Sequence, residues 1–304
     1  MQTILITGSN GLLGQKLIKQ LAHETNTKIV ATSSGENRAT IPSHILYETL
    51  DITSREQVEK CIRKHKPNTI INTAAMTNVD ACEDEQKNCW KVNVQAINHF
   101  IQALAGTEIH FIHLSTDFIF DGETGPYTEN DQPNPLSFYG KSKLAAEKLL
   151  TESTINWAIL RTVLVYGVAQ NISRSNIVLW AKNALEKQQA IKVVNDQYRT
   201  PTLAEDLAQG CILAAKKQAK GIYNISGKDF MSIQDMVQRI AKYYQLNASK
   251  IEYLSSSTLN QKAKRPPKTG FILDKATAEL NYQPHSFEEG LEMVAEQLTA
   301  NQTP

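Results

Sequence analysis

"TILITGSNGLLGQKLIKQLAH", residues 3–23, joins a short apolar run to an amphipathic segment through three glycines. The run from Thr3 to Thr7 reads as a buried strand, ended by Gly8. Leu12, Leu13, Leu17, Ile18 and Leu21 then fall on one face of a helix. Gly8, Gly11 and Gly14 stand at GxxGxxG spacing across the junction. The first glycine permits a tight turn, and the second lets backbone N–H groups approach a pyrophosphate. The third allows close helix–strand packing, and the helix N-terminus faces the negative charge. An unconstrained turn rarely needs three spaced glycines. A dinucleotide site is therefore expected on Gly8, Asn10, Gly11, Leu12, Leu13 and Gly14. No GxxxxGK[ST] pattern occurs, which excludes a phosphate-cleaving P-loop.

Outward from this stretch, strand and helix alternate. "KIVAT", "ILYETLD", "NTIINTAA", "IHFIHLS" and "NWAILRTVLVYG" read as strands. "TSREQVEKCIRKH", "EQKNCWKVNVQAINHFIQALA" and "SFYGKSKLAAEKLL" read as the helices between them, with Thr53 and Glu56 at capping-box spacing. Near-continuous apolar strands joined by helices predict an α/β fold, a Rossmann-type doubly wound parallel sheet. After about residue 168 the pattern loosens into helices at 175–189, 204–218 and 232–246, short strands at 191–194 and 221–226, and a polar loop at 255–270. We expect residues 1–167 plus 200–226 to form the dinucleotide-binding domain, and 168–199 plus 227–304 a smaller C-terminal substrate-binding lobe.

Composition narrows the function classes. The 304 residues are 41% apolar and 21% charged, with a net charge of +1, so no global field favours nucleic acid or an anionic membrane. No apolar stretch approaches the roughly 20 residues that span a bilayer. The N-terminus has no basic n-region, and its apolar run is too short for a signal peptide. Cys61, Cys82, Cys89 and Cys211 show no CxxC spacing and read as reduced thiols of a cytoplasmic protein. The seven histidines lack metal-ligand spacing, and His110 and His113 read as structural strand residues; no metal is expected.

The second strand ends "VATSSGENR", with Ser33 and Ser34 where an NAD-preferring site carries an acid, and Arg38 nearby. Hydroxyls and a guanidinium suit a 2′-phosphate, so NADP(H) is the preferred cofactor, with NAD(H) allowed. Of the ten tyrosines only Tyr139 has lysine at the fourth following position, Lys143, on the same helical face. The lysine is expected to lower the phenol's pKa from about 10 toward neutrality, fitting it to protonate a carbonyl oxygen. Thr116 places a hydroxyl at the carboxyl edge of a central strand, where ligands bind in open parallel sheets.

The glycine motif, "NTAAMTNVD", "LSTDFIFDG", "YGKSK" and "NDQYRTPT", in that order, resemble the extended short-chain dehydrogenase/reductases, and more narrowly the dTDP-4-dehydrorhamnose reductase family. The resemblance covers nearly the whole chain and implies reduction of the 4-keto group of a nucleotide-linked 6-deoxy sugar. It makes Tyr139 the general acid, Lys143 its electrostatic partner and a ribose ligand, and Thr116 the polarising hydroxyl. Asp51 and Ile52 would flank the adenine; Ala74, Ala75 and Thr77 would line the cofactor strand edge; Asn93 would support the site from its helix. Asp117 would bond sugar hydroxyls, beside Phe118, and Asn176, Gln197 and Arg265 would contact the nucleotide-sugar or shape its pocket.

Four positions depart from the family pattern. Val163 and Leu164 replace a serine and a sugar-stacking tryptophan, Phe118 replaces a tyrosine, and Lys268 stands where asparagine is usual. A different 4-keto sugar nucleotide is therefore open, as is a homodimer. Two other functions are open as well. One is an epimerase or dehydratase with tightly bound NAD. The other is a non-catalytic regulatory subunit resembling the beta subunit of methionine adenosyltransferase.

Overall fold

The protein was described from a computed structural model, covering residues 2–172, 175–259 and 261–300. The first half runs β1 (Gln2–Thr7), α1 (Leu12–Leu21), β2 (Thr27–Ser33), β3 (Leu46–Thr49), α2 (Arg55–His65), β4 (Thr69–Asn72), α3 (Val79–Asp84), α4 (Gln86–Trp90), α5 (Ala96–Leu104), β5 (His110–Thr116), α6 (Phe138–Thr151) and β6 (Asn156–Thr162). The second half runs β7 (Val165–Tyr166), α7 (Ile177–Glu186), β8 (Ile191–Val194), β9 (Tyr198–Arg199), β10 (Thr202–Leu203), α8 (Ala204–Lys216), β11 (Gly221–Asn224), β12 (Met231–Ser232), α9 (Ile233–Tyr243), β13 (Ile251–Leu254), β14 (Lys268–Thr269) and α10 (Phe287–Ala300).

Seven strands form one parallel sheet in the order β11-β6-β5-β4-β1-β2-β3. The chain reverses its direction of winding between β1 and β4, and the crevice beyond their carboxyl ends is where such sheets bind ligands. Apolar side chains cover both faces. Leu17, Ile18, Leu207 and Cys211 pack on one; Val58, Ile97, Phe100 and Ala146 pack on the other. The strand at 221–224 joins the large sheet beside β6. The remaining late strands form three small sheets, and Val178, Ala181, Val237, Ile240, Phe287 and Leu291 pack a further core among α7, α9 and α10.

Three local expectations need correction. The cap of α2 is Ser54, whose hydroxyl accepts the Gln57 N–H, because Thr53 is taken by the Asp51 carboxylate at 2.7 Å. The helix expected over 85–105 widens into a π-helical turn at Lys91–Gln95, between α4 and α5. The strand expected over 156–167 divides, since Leu164 adopts a left-handed φ of 39° and turns the chain into β7. Among the described residues no helix is long and apolar enough to cross a membrane, and all four cysteines are buried free thiols.

His110 and His113 lie inside β5, and burial holds both below the ordinary histidine range. The unfolded chain takes up these protons near pH 6.5, while the folded chain does not until lower pH. Their contribution is thus complete above about pH 6.5 and lost as pH falls through it, by up to about 1.4 kcal/mol per histidine per pH unit. Urea unfolding at pH 7 and pH 5.5 is expected to show that loss, and a smaller one in His110→Gln; an equal loss in both proteins would refute the account.

Candidate active site

The site is built where α6 meets the carboxyl end of β5. Thr116 ends the strand, and a single turn of tighter helix follows at Asp117–Ile119. Ser137 caps α6 by accepting the Gly140 N–H at 3.1 Å. Gly140 then lets the helix press onto that turn, because a Cβ there would stand 2.1 Å from the Phe118 carbonyl oxygen. The close approach brings the Tyr139 phenol beside the Thr116 hydroxyl, and the Phe118 ring edge-on to Tyr139 with centroids 5.9 Å apart.

Tyr139 and Lys143 share the buried face of α6. The expected depression of the phenol's pKa is not found: burial raises it above the ordinary value, against the Thr116 hydroxyl beside it. The Lys143 amine lies instead against β5, 3.1 Å from His113 Nε2 and donating to the Leu114 carbonyl at 2.6 Å. Burial brings Lys143 down to about 8, opposed by Glu147 and Cys89. The tyrosine therefore holds its proton at neutral pH.

Asn93, in the π-turn, is 1% exposed, which excludes a solvated helix position. Its Oδ1 accepts the Met76 N–H at 2.8 Å, and its Nδ2 donates to Met76 O and Ser142 Oγ, each at 3.0 Å. Ser142 donates in turn to the Tyr139 carbonyl at 2.7 Å. One side chain thus fastens the loop after β4, which carries Ala74, Ala75 and Thr77, to the helix that carries Tyr139. The extra residue of a π-turn is what aims it at both.

The glycine turn has the shape of a pyrophosphate cradle. Gly8 has φ +68°, and a Cβ there would stand 2.7 Å from Thr73 Oγ1 and 2.8 Å from the Ala74 nitrogen. Gly14 packs on the backbone of residues 8 and 9. Gly11 is the N-cap of α1, and no side chain caps that end, so the amides of Leu12 and Leu13 face outward. Asn10 is buried and organises the neighbouring loop: its amide donates to Ser33 Oγ at 2.6 Å and Glu36 O at 2.8 Å, and accepts the Arg38 N–H at 2.9 Å. Ser34 and Arg38 are exposed on that loop. Ile52 is buried after β3, and Asp51 accepts from Thr53. These residues fit a nicotinamide dinucleotide.

The residues expected at the sugar are held by protein partners. Asp117 is buried between Thr116, Thr269 and the Arg199 guanidinium, whose Nε lies 3.7 Å from Oδ2. Burial raises its carboxyl, and Arg199 opposes that shift. Asn176 caps α7 and donates to Gly167 O at 2.7 Å. Gln197 is buried before β9, and Arg265 pairs with Asp80 of α3 at 2.6 Å. Gly140, Ser142, Arg199 and Thr269 also belong to the site, though no local motif marks them. "YRTPT" contains Arg199, but nothing local pairs it with Asp117. Glu48, Cys61 and His65 bring three donors within 4.8 Å of one another. The Glu48 carboxylate already takes Lys64 at 2.6 Å and His65 at 2.7 Å, and burial pushes the Cys61 thiol up to about 11.

A family model described as RmlD substrate binding domain matches residues 1–300. A dTDP-4-dehydrorhamnose reductase of Aggregatibacter actinomycetemcomitans is 31% identical, over 97% of this chain and 98% of its own. A methionine adenosyltransferase 2 subunit beta of Danio rerio is 30% identical, over 86% of this chain and 80% of its own. The crystal structure of a dTDP-4-dehydrorhamnose reductase from Bacillus anthracis in complex with NADP superposes with a TM-score of 0.83 at 27% identity, over 98% of this chain and all of that one.

Removing the clamp is testable without a substrate. Asn93→Ala leaves the Met76 N–H without a partner and its carbonyl with only the Cys82 thiol at 3.7 Å, which is expected to cost about 1–3 kcal/mol in urea unfolding. It should also weaken NADPH binding, measured by fluorescence titration. Unchanged stability and affinity would mean that the loop is held by other contacts.

Proposed function

The chain belongs to the RmlD substrate binding domain family, and on that premise we propose that it is an NADPH-dependent reductase of the 4-keto group of a nucleotide-linked 6-deoxy sugar, with dTDP-4-dehydrorhamnose, giving dTDP-rhamnose, as the first substrate to try. Its fold is that of the extended short-chain dehydrogenase/reductases, which are NAD(P)H-dependent oxidoreductases. The observation that carries the reading is the placement of Tyr139 and Lys143 on the buried face of α6, beside the Thr116 hydroxyl at the carboxyl rim of the sheet. A bound nicotinamide supplies the hydride.

The chain's own residues do the rest. Tyr139 reaches the reaction protonated, because burial disfavours its phenolate. A carbonyl oxygen that gains negative charge as hydride arrives takes that proton, in general acid catalysis typically worth about 10²–10⁴ in rate. The Thr116 hydroxyl beside it favours the phenolate left behind, against burial. Lys143, one turn further along α6 on the same buried face, in its ammonium form stabilises the phenolate left after the proton leaves. Asn93 and Ser142 keep the cofactor loop and the phenol in register. In this reading residues 1–167 with 200–226 hold the dinucleotide, and residues 168–199 with 227–304 hold the sugar nucleotide.

NADPH is preferred over NADH because Ser33 and Ser34, not an acid, stand at the end of β2, with Arg38 on the loop that follows. The NADP complex of the Bacillus anthracis relative supports the same choice. A second reading follows from the methionine adenosyltransferase subunit beta relative: a nucleotide-binding regulatory subunit with no turnover.

NADPH oxidation against a panel of dTDP-, GDP- and UDP-linked 4-keto sugars decides between them. Wild type is expected to turn over at least one, and Tyr139→Phe to keep NADPH affinity while losing two or more decades of kcat. No turnover of any sugar, or full activity in Tyr139→Phe, would overturn the proposal. Arg38→Ala should weaken NADPH binding several-fold more than NADH binding; an equal effect on both would remove the 2′-phosphate argument.

A further inference from the structure

A row of polar side chains crosses the middle of the sheet. Thr32, Thr7, Asn72 and His113 are register partners in β2, β1, β4 and β5, and each is 1% exposed or less. Thr7 Oγ1 lies 2.5 Å from Asn72 Oδ1, and the Asn72 amide nitrogen lies 3.1 Å from His113 Nδ1. His113 Nε2 lies 3.1 Å from the Lys143 amine. The strand positions around them are apolar: Ile6, Ile71 and Ile112. Polar groups in such a place cost free energy unless each finds a partner. Three of these find partners in one another, and the chain they form ends on Lys143. We propose that His113 is the positioning residue of Lys143: its ring, backed by Asn72 and Thr7, holds the amine at the carboxyl end of β5 and partners it in both its charged and its uncharged form.

The proton count gives this its content. Burial keeps the ring neutral, so it carries one N–H. An ammonium can only donate. Against it Nε2 must accept, Nδ1 must carry the proton, and Asn72 must turn its amide oxygen to the ring and its nitrogen to Thr7. Against an uncharged amine Nε2–H donates, Nδ1 accepts, and the Asn72 nitrogen faces the ring, which is the orientation in this structure. A half-turn of one amide and a change of tautomer connect the two, and every polar group keeps a partner in both. A hydroxyl such as Thr7 can give or take as required. The row is thus matched to a lysine that titrates near neutrality rather than one fixed in charge.

The other groups facing Lys143 are Tyr139 and Glu147 on its own helix and Cys89 at the end of α4. Glu147 is held by Arg161 of β6, at 3.0 and 2.7 Å. Glu147 and Cys89 favour the charged amine, but His113 makes the short contact to it from the sheet. Removing the ring takes away the Nε2 lone pair that the charged amine needs, and should therefore move the titration downward.

The test follows the Lys143 side chain by NMR in lysine-labelled protein, with Lys143→Arg assigning the signal. Wild type is expected to titrate near 8. His113→Phe keeps the ring's bulk and removes both nitrogens; its midpoint should fall by at least one pH unit, about a tenfold change in the protonation equilibrium. His113→Gln, whose amide oxygen still accepts, should recover most of the shift. If His113→Phe does not fold, Asn72→Leu, which removes the partner of Nδ1, should move the midpoint in the same direction by less. An unmoved midpoint in the folded variant would overturn the proposal, as would equal shifts in His113→Phe and His113→Gln. The titration needs no substrate, so it is decided even if no keto sugar is reduced. The effect on catalysis alone rests on the reductase reading: where a sugar is turned over, the alkaline fall of kcat should move with the lysine.

Discussion

The arrangement depends on one steric fact: nothing larger than hydrogen fits at residue 140. The Phe118 carbonyl oxygen occupies the place a Cβ would take. Because the backbones touch there, the end of β5 and the start of α6 cannot drift apart, and the Thr116 hydroxyl and the Tyr139 phenol meet. The same closeness buries the amine of Lys143, one turn on, against the strand rather than in water. The raised phenol, the lowered amine and the edge-on ring of Phe118 are consequences of that contact. A site assembled from rigid backbone in this way needs no reorganisation to present its donor, which is the property electrostatic catalysis requires.

Around that contact lie buried ions that stability alone would not select. Asp117 with Arg199, and Glu147 with Arg161, are almost wholly enclosed. Taking such pairs out of water offsets most of what their attraction returns, and apolar residues of similar volume often serve a core as well. What they provide here is connection at fixed geometry. Arg199 also donates to the Pro266 and Pro267 carbonyls, and Thr269 donates to Asp117. The turn after β5 is thereby tied to β9 and β14, elements from a distant part of the chain. Arg161 ties the far end of α6 to the Glu129 carbonyl in the loop before it. Each tie would be costly to break on one side only, so the floor of the site is specified even where the net stabilisation is small.

The parts of this that the sequence disclosed are those ruled by local geometry. A strand–glycine–helix junction and a tyrosine four residues before a lysine declare themselves because their partners lie within a few residues. The parallel sheet followed from apolar strands alternating with helices. The undisclosed parts are pairings across long separations. Asp117 and Thr269 are 152 positions apart, and Asn93 and Ser142 are 49 apart. Nothing in "KVNVQ" announces a π-turn, and Gly140 passes for an ordinary residue between two helix formers until Phe118 is seen against it. The expected depression of Tyr139 failed for a related reason. Spacing placed Lys143 on the right face but could not show its amine engaged by β5, nor weigh burial of the phenol against a nearby cation.

Floor and wall of the site are held by interactions of different strength. The floor consists of enclosed hydrogen bonds and backbone contacts. On one side the wall is the loop after β13, fastened to α3 by Arg265 with Asp80 and Lys262 with Asp84. Lys262 and Asp84 are more than half exposed, and pairs of that kind are worth about 0–1 kcal/mol. Changes in the wall therefore cost the fold little, whereas changes in the floor are felt throughout. Leu164 and Phe118, two of the departures from the family pattern, border the floor and are only half-buried. They offer apolar surface without an indole or phenol donor. The floor is thus fixed by enclosed contacts that tolerate little change, and its border by half-exposed contacts that tolerate more.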